Sequence, residues 1–258
     1  MSIGSVEQPK IIKVKGSKKD IFLFIFSIIL YNKLMYQFKS AWNFYLSNWQ
    51  FFAVLAAPVF CVEVATAYLF APLQNVTQPD DIVEFMSSNG GPIGILGLLG
   101  MILSIAFLGG LHIAFDAKSS NVSIEPLNAL FAGLKKFFPL FGAYILTAIV
   151  VFFGLLLLIL PGIYLGARLA LFPAYIMLEN KGVMESLKLS WENTDEHGGT
   201  LFSLTIIFAL LSIILASIFS SVLDSGLVQL GILGIVEYVI IVPWTYIYYS
   251  LYKSQSSQ

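Results

Sequence analysis

Residues 155–180 read LLLLILPGIYLGARLALFPAYIMLEN. An apolar run this long is membrane-span material, because a helix crossing the hydrocarbon core needs about 20 mainly apolar residues. The stretch nevertheless carries Pro161-Gly162, a lone Arg168 and Pro173. Pro-Gly is a turn pair, and proline suits the start of a helix because its missing N–H would be unpaired there anyway. A tight hairpin follows: one span closes near Leu160, the pair turns, and a shorter span opens at Ile163. Along that shorter span Gly162, Gly166, Ala170 and Ala174 recur every four residues. Such a small-xxx-small stripe lets a neighbouring helix approach closely. Arg168 points roughly away from the stripe, since two positions turn a helix by about 200°. Both faces therefore favour protein over lipid, and this span is expected to be the central helix, kinked where Pro173 frees a carbonyl.

The rest of the chain agrees with a lipid-facing surface. Of 258 residues, 58% are hydrophobic and 11% charged, and the mean hydropathy is +0.85. A soluble domain keeps roughly 25% charged residues. The net charge of -1 offers no basic field for nucleic acid. Cys61 is the single cysteine, which excludes disulfides within the chain and cysteine-based zinc sites. It is read as a small apolar residue in a span.

Working outward from the hairpin, six segments qualify as spans: Phe51–Pro72, Pro92–Phe115, Pro139–Leu160, Ile163–Leu178, Thr200–Leu223 and Gln229–Leu251. In lipid each must satisfy its own backbone, so each is a helix; the alternation of a membrane β-barrel is absent. The fold class is an all-α integral membrane protein, a six-helix bundle built as three hairpins over residues 35–258. Lys33 and Lys39 precede the first span, and Lys118, Lys135, Lys136, Lys181, Lys188 and Lys253 flank the others on the same side. Asp80, Asp81 and Glu84 occupy the loop between the first two spans. By the positive-inside rule the lysine side is cytoplasmic and holds both termini. Trp42, Trp49, Trp191 and Trp244 fall near that face, as interfacial anchors do.

Residues 1–34 form a lysine-rich extension containing the run IFLFIFSIILY. It is too short to span, and Tyr31-Asn32-Lys33 offers no small-residue cleavage site. It is expected to lie at the interface; a second reading makes Met35 the true start. Before each odd-numbered span lies a segment of amphipathic character: FKSAWNFYLSNW, then EPLNALFAGLKKFF, then GVMESLKLSWEN. In the second, Leu127, Leu130, Phe131, Leu134 and Phe138 recur at helical spacing; in the third, Val183, Met184, Leu187 and Trp191 share a face. These are expected to be cytoplasmic surface helices of the kind that lies at the headgroup boundary. The chain then reads as three parallel copies of a surface helix followed by a membrane hairpin.

Charged residues at membrane depth are candidate functional sites. Counting about 1.5 Å per residue from the outer span ends, Arg168 lies roughly 8 Å deep, Glu237 about 12 Å and Glu63 about 13 Å. Glu63, Arg168 and Glu237 are therefore expected to form an intramembrane charge cluster in the outer half of the membrane. The bland counterpart is an arginine that snorkels and acids that stay protonated or bond a serine or backbone group. Little else points to chemistry. His112 and His197 belong to no metal-ligand pattern; His112 is expected to be a satisfied interior histidine, and His197 to sit at a helix end closed by Gly198-Gly199. GGPIGILGLLG is read as helix-packing material rather than a phosphate cradle, and the acidic loop as solvated. No nucleophile, base and oxyanion set can be assembled, so neither an enzyme nor a cofactor or metal is expected.

The stretch PGIYLGARLALFPAYIMLENKGVMESLKLSWENT resembles a segment of the YciC-like inner-membrane proteins of bacteria, and more distantly the membrane domain attached to some glycerophosphodiester phosphodiesterases. The matching residues are Pro161, Gly162, Ile163, Pro173, Glu179, Asn180, Gly182, Val183, Ser186, Ser190 and Trp191. The resemblance implies a bacterial inner-membrane location and supplies no catalytic residues. The functional expectation is a non-enzymatic inner-membrane protein with an envelope- or lipid-related role, with membrane lipids, a protein partner or a second copy as its partners. Its rivals are a small transporter using Glu63, Arg168 and Glu237, and a membrane subunit or anchor for a separate hydrolase.

Overall fold

Apolar periodicity broken by prolines and polar caps divides the chain into helices joined by short connections. The structure, a computed structural model, describes residues 18–75 and 78–256, with residues 18–31, 74 and 75 described by backbone alone. Its helices are α1 Lys18–Ser47, α2 Trp49–Phe70, α3 Pro79–Ser119, α4 Pro126–Lys135, α5 Phe137–Leu157, α6 Ile159–Leu169, α7 Phe172–Leu178, α8 Val183–Asn193, α9 Gly198–Val222 and α10 Leu227–Ser256. Short 3-10 turns occupy Ala71–Asn75 and Asp195–His197, and no strand occurs among the described residues. Six spans are long and apolar enough to cross a membrane, α6 and α7 together making the fourth. In sequence order, α2 packs on α3, α5 on α6 and α9 on α10.

The buried core gathers at one end of the bundle. There Lys253 at the end of α10 donates to Asp116 near the end of α3 at 2.7 Å, Tyr252 donates to Glu179 after α7 at 3.0 Å, and Lys118 lies over the Phe51 ring at 4.5 Å. This basic end holds Phe52, Leu55, Val59, Leu111, Phe115 and Tyr249 in full burial. Phe44, brought in by α1, stacks on Tyr246 with ring centroids 4.0 Å apart and meets Phe115 edge-on at 5.9 Å. Toward the other end the helices expose apolar side chains: Leu98, Leu155–Leu160, Ile214 and Val222 all face outward. Lipid tails are as apolar as leucine, so no hydrophobic force gathers these surfaces. Aromatic shape and close-packed glycines, concentrated at the basic end, do that instead.

Several expectations need correction. The tight turn is not at Pro161-Gly162 but at Leu158, which takes an extended conformation between α5 and α6. The pair lies in the first turn of α6, and Gly162 is there for close approach: a Cβ on it would meet Leu155 Cγ at 2.5 Å, and one on Gly154 would meet the Gly162 Cα at 2.8 Å. The acidic stretch is not a loop either. Pro79 starts α3 and Asp80 and Asp81 occupy its first turn, where acids complement the helix dipole, so one helix runs from Pro79 through Pro92 to Ser119. Gly90, Gly91, Gly94 and Gly97 face open space rather than a packing partner. The backbone of α1 continues through residue 34 without a break; residues 1–17 of the expected extension lie outside the described residues.

The connector helices meet the bundle through small residues. α4 packs on α3 through Ala129, Leu130 and Gly133, while Leu127, Phe131, Leu134 and Phe138 face outward. α8 buries Ser186 and Ser190, and it exposes Met184 and Trp191.

Candidate functional site

The fourth span is the most enclosed of the six, with 56% of its most apolar 18-residue stretch buried against 17–22% in the others. It is also broken rather than merely kinked. α6 ends at Leu169, α7 starts at Phe172, and Pro173 sits in the first turn of α7. The break leaves backbone groups without helical partners, and α8 supplies them. Ser190 Oγ donates to the Arg168 carbonyl at 2.9 Å and accepts from the Leu171 N–H at 3.0 Å. Thr194 Oγ1 lies 3.0 Å from the same carbonyl.

Arg168, only 3% exposed, points into that connector. Its Nε donates to Thr194 Oγ1 at 2.9 Å, Nη1 to Tyr164 OH at 3.0 Å and Nη2 to the Trp191 carbonyl at 2.6 Å. Nη2 also pairs with Asp195 at 2.9 Å, and the guanidinium lies over the Trp191 ring at 4.1 Å. A planar fork with fixed donors suits such a multi-acceptor cage, where a lysine point charge would not. Gly198 is part of the cage: a Cβ there would stand 2.9 Å from Tyr164 OH and 3.1 Å from Arg168 Cδ. It therefore opens α9 rather than closing the preceding helix.

The expected three-member cluster is thus divided. Glu63 and Glu237 both line a cavity of about 480 Å³ between α2, α9 and α10, together with Ala67, Ser212, Ala216 and Leu233. Arg168 is not among its walls. Measured along α9 from Gly198, beside Arg168, to Ser212, beside the acids, the separation is about 21 Å at 1.5 Å per residue. Depth counting failed because it took the outer ends of the spans as level: α6 starts only at Ile159, and Arg168 lies beside Gly198, at the opposite end of α9 from its outer turn. Of the small-residue stripe, Gly162 packs on α5 and Ala174 is buried, while Gly166 and Ala170 line a second cavity.

Glu63 is held in place by two donors. Ser104 Oγ of α3 donates to Oε1 at 3.2 Å, and Tyr238 OH of α10 donates to Oε2 at 2.5 Å. Phe60 and Phe107 fix the tyrosine edge-on, with centroids 6.3 and 5.3 Å away. Glu237, one residue before Tyr238, faces the cavity with no ion pair among the described residues. No lysine or arginine lines the cavity. Two carboxylates in an apolar cleft need a proton or a cation for neutrality. Tyr238 and Ser104 escaped sequence reasoning; a tyrosine directly after an intramembrane glutamate was the available signal. Ser190 and Thr194 escaped because nothing in their spacing points back to the fourth span.

A helical bundle with six such spans and a lipid-exposed half is a multi-pass membrane protein. In keeping with this, the chain is similar to a UPF0259 membrane protein of Photorhabdus laumondii subsp. laumondii, with 26% identity over 176 residues that cover 60% of this chain and 69% of the relative. The similarity is consistent with a bacterial membrane-protein family of the kind residues 161–194 resemble. No family model and no solved structure matches the chain.

Proposed function

We propose that this protein is a non-enzymatic component of the bacterial inner membrane with a lipid-related role, and that it receives the protonated amine head of an amphiphile in the cleft lined by Glu63 and Glu237. The observation that carries the proposal is the pair of carboxylates in a mainly apolar, membrane-level cavity with no basic residue in its walls. Arg168, the one guanidinium at membrane depth, is fully engaged elsewhere. An ammonium would neutralise the acids and make charge-assisted hydrogen bonds to them, and an acyl chain would run along the exposed apolar faces of α2 and α10. The positions of Lys118, Lys181 and Lys253 support a cytoplasmic location for the basic end and both termini.

The test is lipid retention in nanodiscs of equal parts phosphatidylethanolamine and phosphatidylglycerol. Wild type should retain the amine lipid preferentially, and the double variant Glu63→Gln/Glu237→Gln should lose the preference while keeping its unfolding temperature. Equal retention by both proteins refutes the proposal. Orientation is checked separately in a Cys61→Ala background: an impermeant maleimide applied outside spheroplasts should label Asp81→Cys and spare Lys136→Cys. A transport reading of the same acids is favoured by Pro58 in α2 and Pro243 in α10, each of which removes one backbone hydrogen bond from a continuous helix flanking the cleft. Amine flux into proteoliposomes that vanishes in Glu63→Gln would establish it.

A further inference from the structure

The second half of α1 has two unlike sides. Phe38, Ala41, Trp42 and Tyr45 belong to the core or pack against it. Tyr36, Ser40, Asn43 and Ser47 recur at spacings of four, three and four, which sets them along one face of the helix, with Lys39 at its edge. These five side chains line a groove of about 550 Å³ between α1 and α10, inside the roughly 300–1,000 Å³ of ordinary ligand pockets. Half-buried Phe44 and Tyr246, stacked at 4.0 Å, form its floor.

The polar groups of the groove are accessible and uncommitted. Lys39, Asn43 and Ser47 are exposed and Ser40 is half-buried. Lys39 enters no ion pair among the described residues, and the side chains of Ser40, Asn43 and Ser47 have no hydrogen-bond partner among them. No acid lines the walls, and Asp116, the acid at this end of α3, is engaged by Lys253 and Tyr249 at 2.7 and 3.1 Å. One ammonium, two hydroxyls and an amide therefore offer donors without a competing carboxylate, a set that suits an anion with several acceptor oxygens. Tyr246 lies nineteen residues along α10 from Leu227, about 28 Å at 1.5 Å per residue. That brings the groove to one edge of a hydrocarbon core about 30 Å thick, the level at which lipid phosphates lie.

We propose that this groove is a binding site for a phosphate ester, whose oxygens accept from the Lys39 ammonium, the Ser40 and Ser47 hydroxyls and the Asn43 amide. The ester comes either from the headgroup of an anionic phospholipid or from a small soluble phosphate ester. An ammonium attached to the phosphate finds no acid in these walls, so glycerol-type headgroups bind in preference to choline. The carboxylate cleft selects the opposite charge and shares no lining residue with the groove, so failure of the amine reading leaves this site standing.

The test uses the full chain in detergent micelles doped with equal parts phosphatidylglycerol and phosphatidylcholine, with retained lipids counted by native mass spectrometry. Wild type should retain phosphatidylglycerol preferentially. Lys39→Gln should reduce that preference about tenfold, the size of one charge-assisted hydrogen bond, whereas Lys188→Gln, at an exposed lysine of α8, should leave it unchanged. The triple variant Ser40→Ala/Asn43→Ala/Ser47→Ala keeps every charge, so its loss of preference separates a built site from general attraction to a basic surface. None of the altered side chains is buried, and each variant should unfold at the wild-type temperature. Saturable binding of glycerol 3-phosphate in phosphatidylcholine nanodiscs, lost in Lys39→Gln and without any phosphatidylglycerol preference, supports the site and assigns the soluble ester. If neither probe distinguishes wild type from Lys39→Gln, or the triple variant behaves as wild type, the groove is only a solvated helix face and the proposal is overturned.

Discussion

Replacing Arg168 by methionine tests the cage around the broken span. The guanidinium donates hydrogen bonds to Thr194, Tyr164 and Trp191, each of the charged kind that contributes about 1.5–3 kcal/mol. Stacking on Trp191 adds about 1 kcal/mol. Against this, burying the cation costs several kcal/mol, which methionine avoids. The acceptors left behind are partly covered, because Thr194 Oγ1 still reaches the Ser190 and Trp191 carbonyls at 2.7 and 3.2 Å. The net expectation is a loss of about 3 kcal/mol. At about 2–4 °C per kcal/mol for a chain of this size, the midpoint should fall by roughly 9 °C. Asp195 is 78% exposed at its side chain, so Asp195→Asn should cost under about 1 kcal/mol. The assay is thermal unfolding in detergent micelles, followed by loss of helical circular dichroism. A midpoint for Arg168→Met within about 2 °C of wild type would refute the cage. So would rescue of Arg168→Met by Glu63→Gln or Glu237→Gln, which requires the arginine to sit beside the acids.

Two further predictions concern packing and the helix break. A Cβ at Gly133 would lie 1.9 Å from the Ala106 carbonyl oxygen, so Gly133→Ala should destabilise by about 3 kcal/mol as α4 is forced off α3. Gly94→Ala, which meets open space, should stabilise by about 0.5–1 kcal/mol through helix propensity alone; unfolding midpoints of the pair decide it. Ser190→Ala strands the Leu171 N–H and weakens the satisfaction of the Arg168 carbonyl, at a cost of about 1–3 kcal/mol. Faster hydrogen exchange at residues 169–172, with α9 unchanged, is its signature.

Much of the fold was legible because lipid is a demanding solvent: length and apolarity marked the spans, and the lysines marked one end. Within the stripe, Gly162 makes a close helix contact in which Leu155 and Gly154 leave no room for a side chain. The site was harder. Glu63 and Glu237 stood out as acids in apolar runs and do share a cavity, but Arg168 was assigned to them by depth alone. Its real partners, Thr194 and the Trp191 carbonyl, come from a connector whose polar residues look like ordinary solvated surface. Amphipathic patterning picked out large apolar residues of α4 and α8 that do face outward, such as Phe131 and Met184, but gave no sign of the small residues that pack inward. Small side chains win the inward face because backbones, not side chains, make those contacts.

The serine bridge at the break has a consequence for biogenesis. The fourth segment carries a buried cation and one helix break, so as it leaves the ribosome it is a poor candidate to partition into the bilayer by itself. Its missing hydrogen bonds and the shelter for its charge arrive only when residues 190–198 have been synthesised and folded back against it. Chains arrested shortly after Asn180 should therefore leave this segment extractable by alkali, whereas chains extended past Gly198 should retain it. The connector thereby acts as an in-built assembly partner, completing a membrane helix from outside its own sequence.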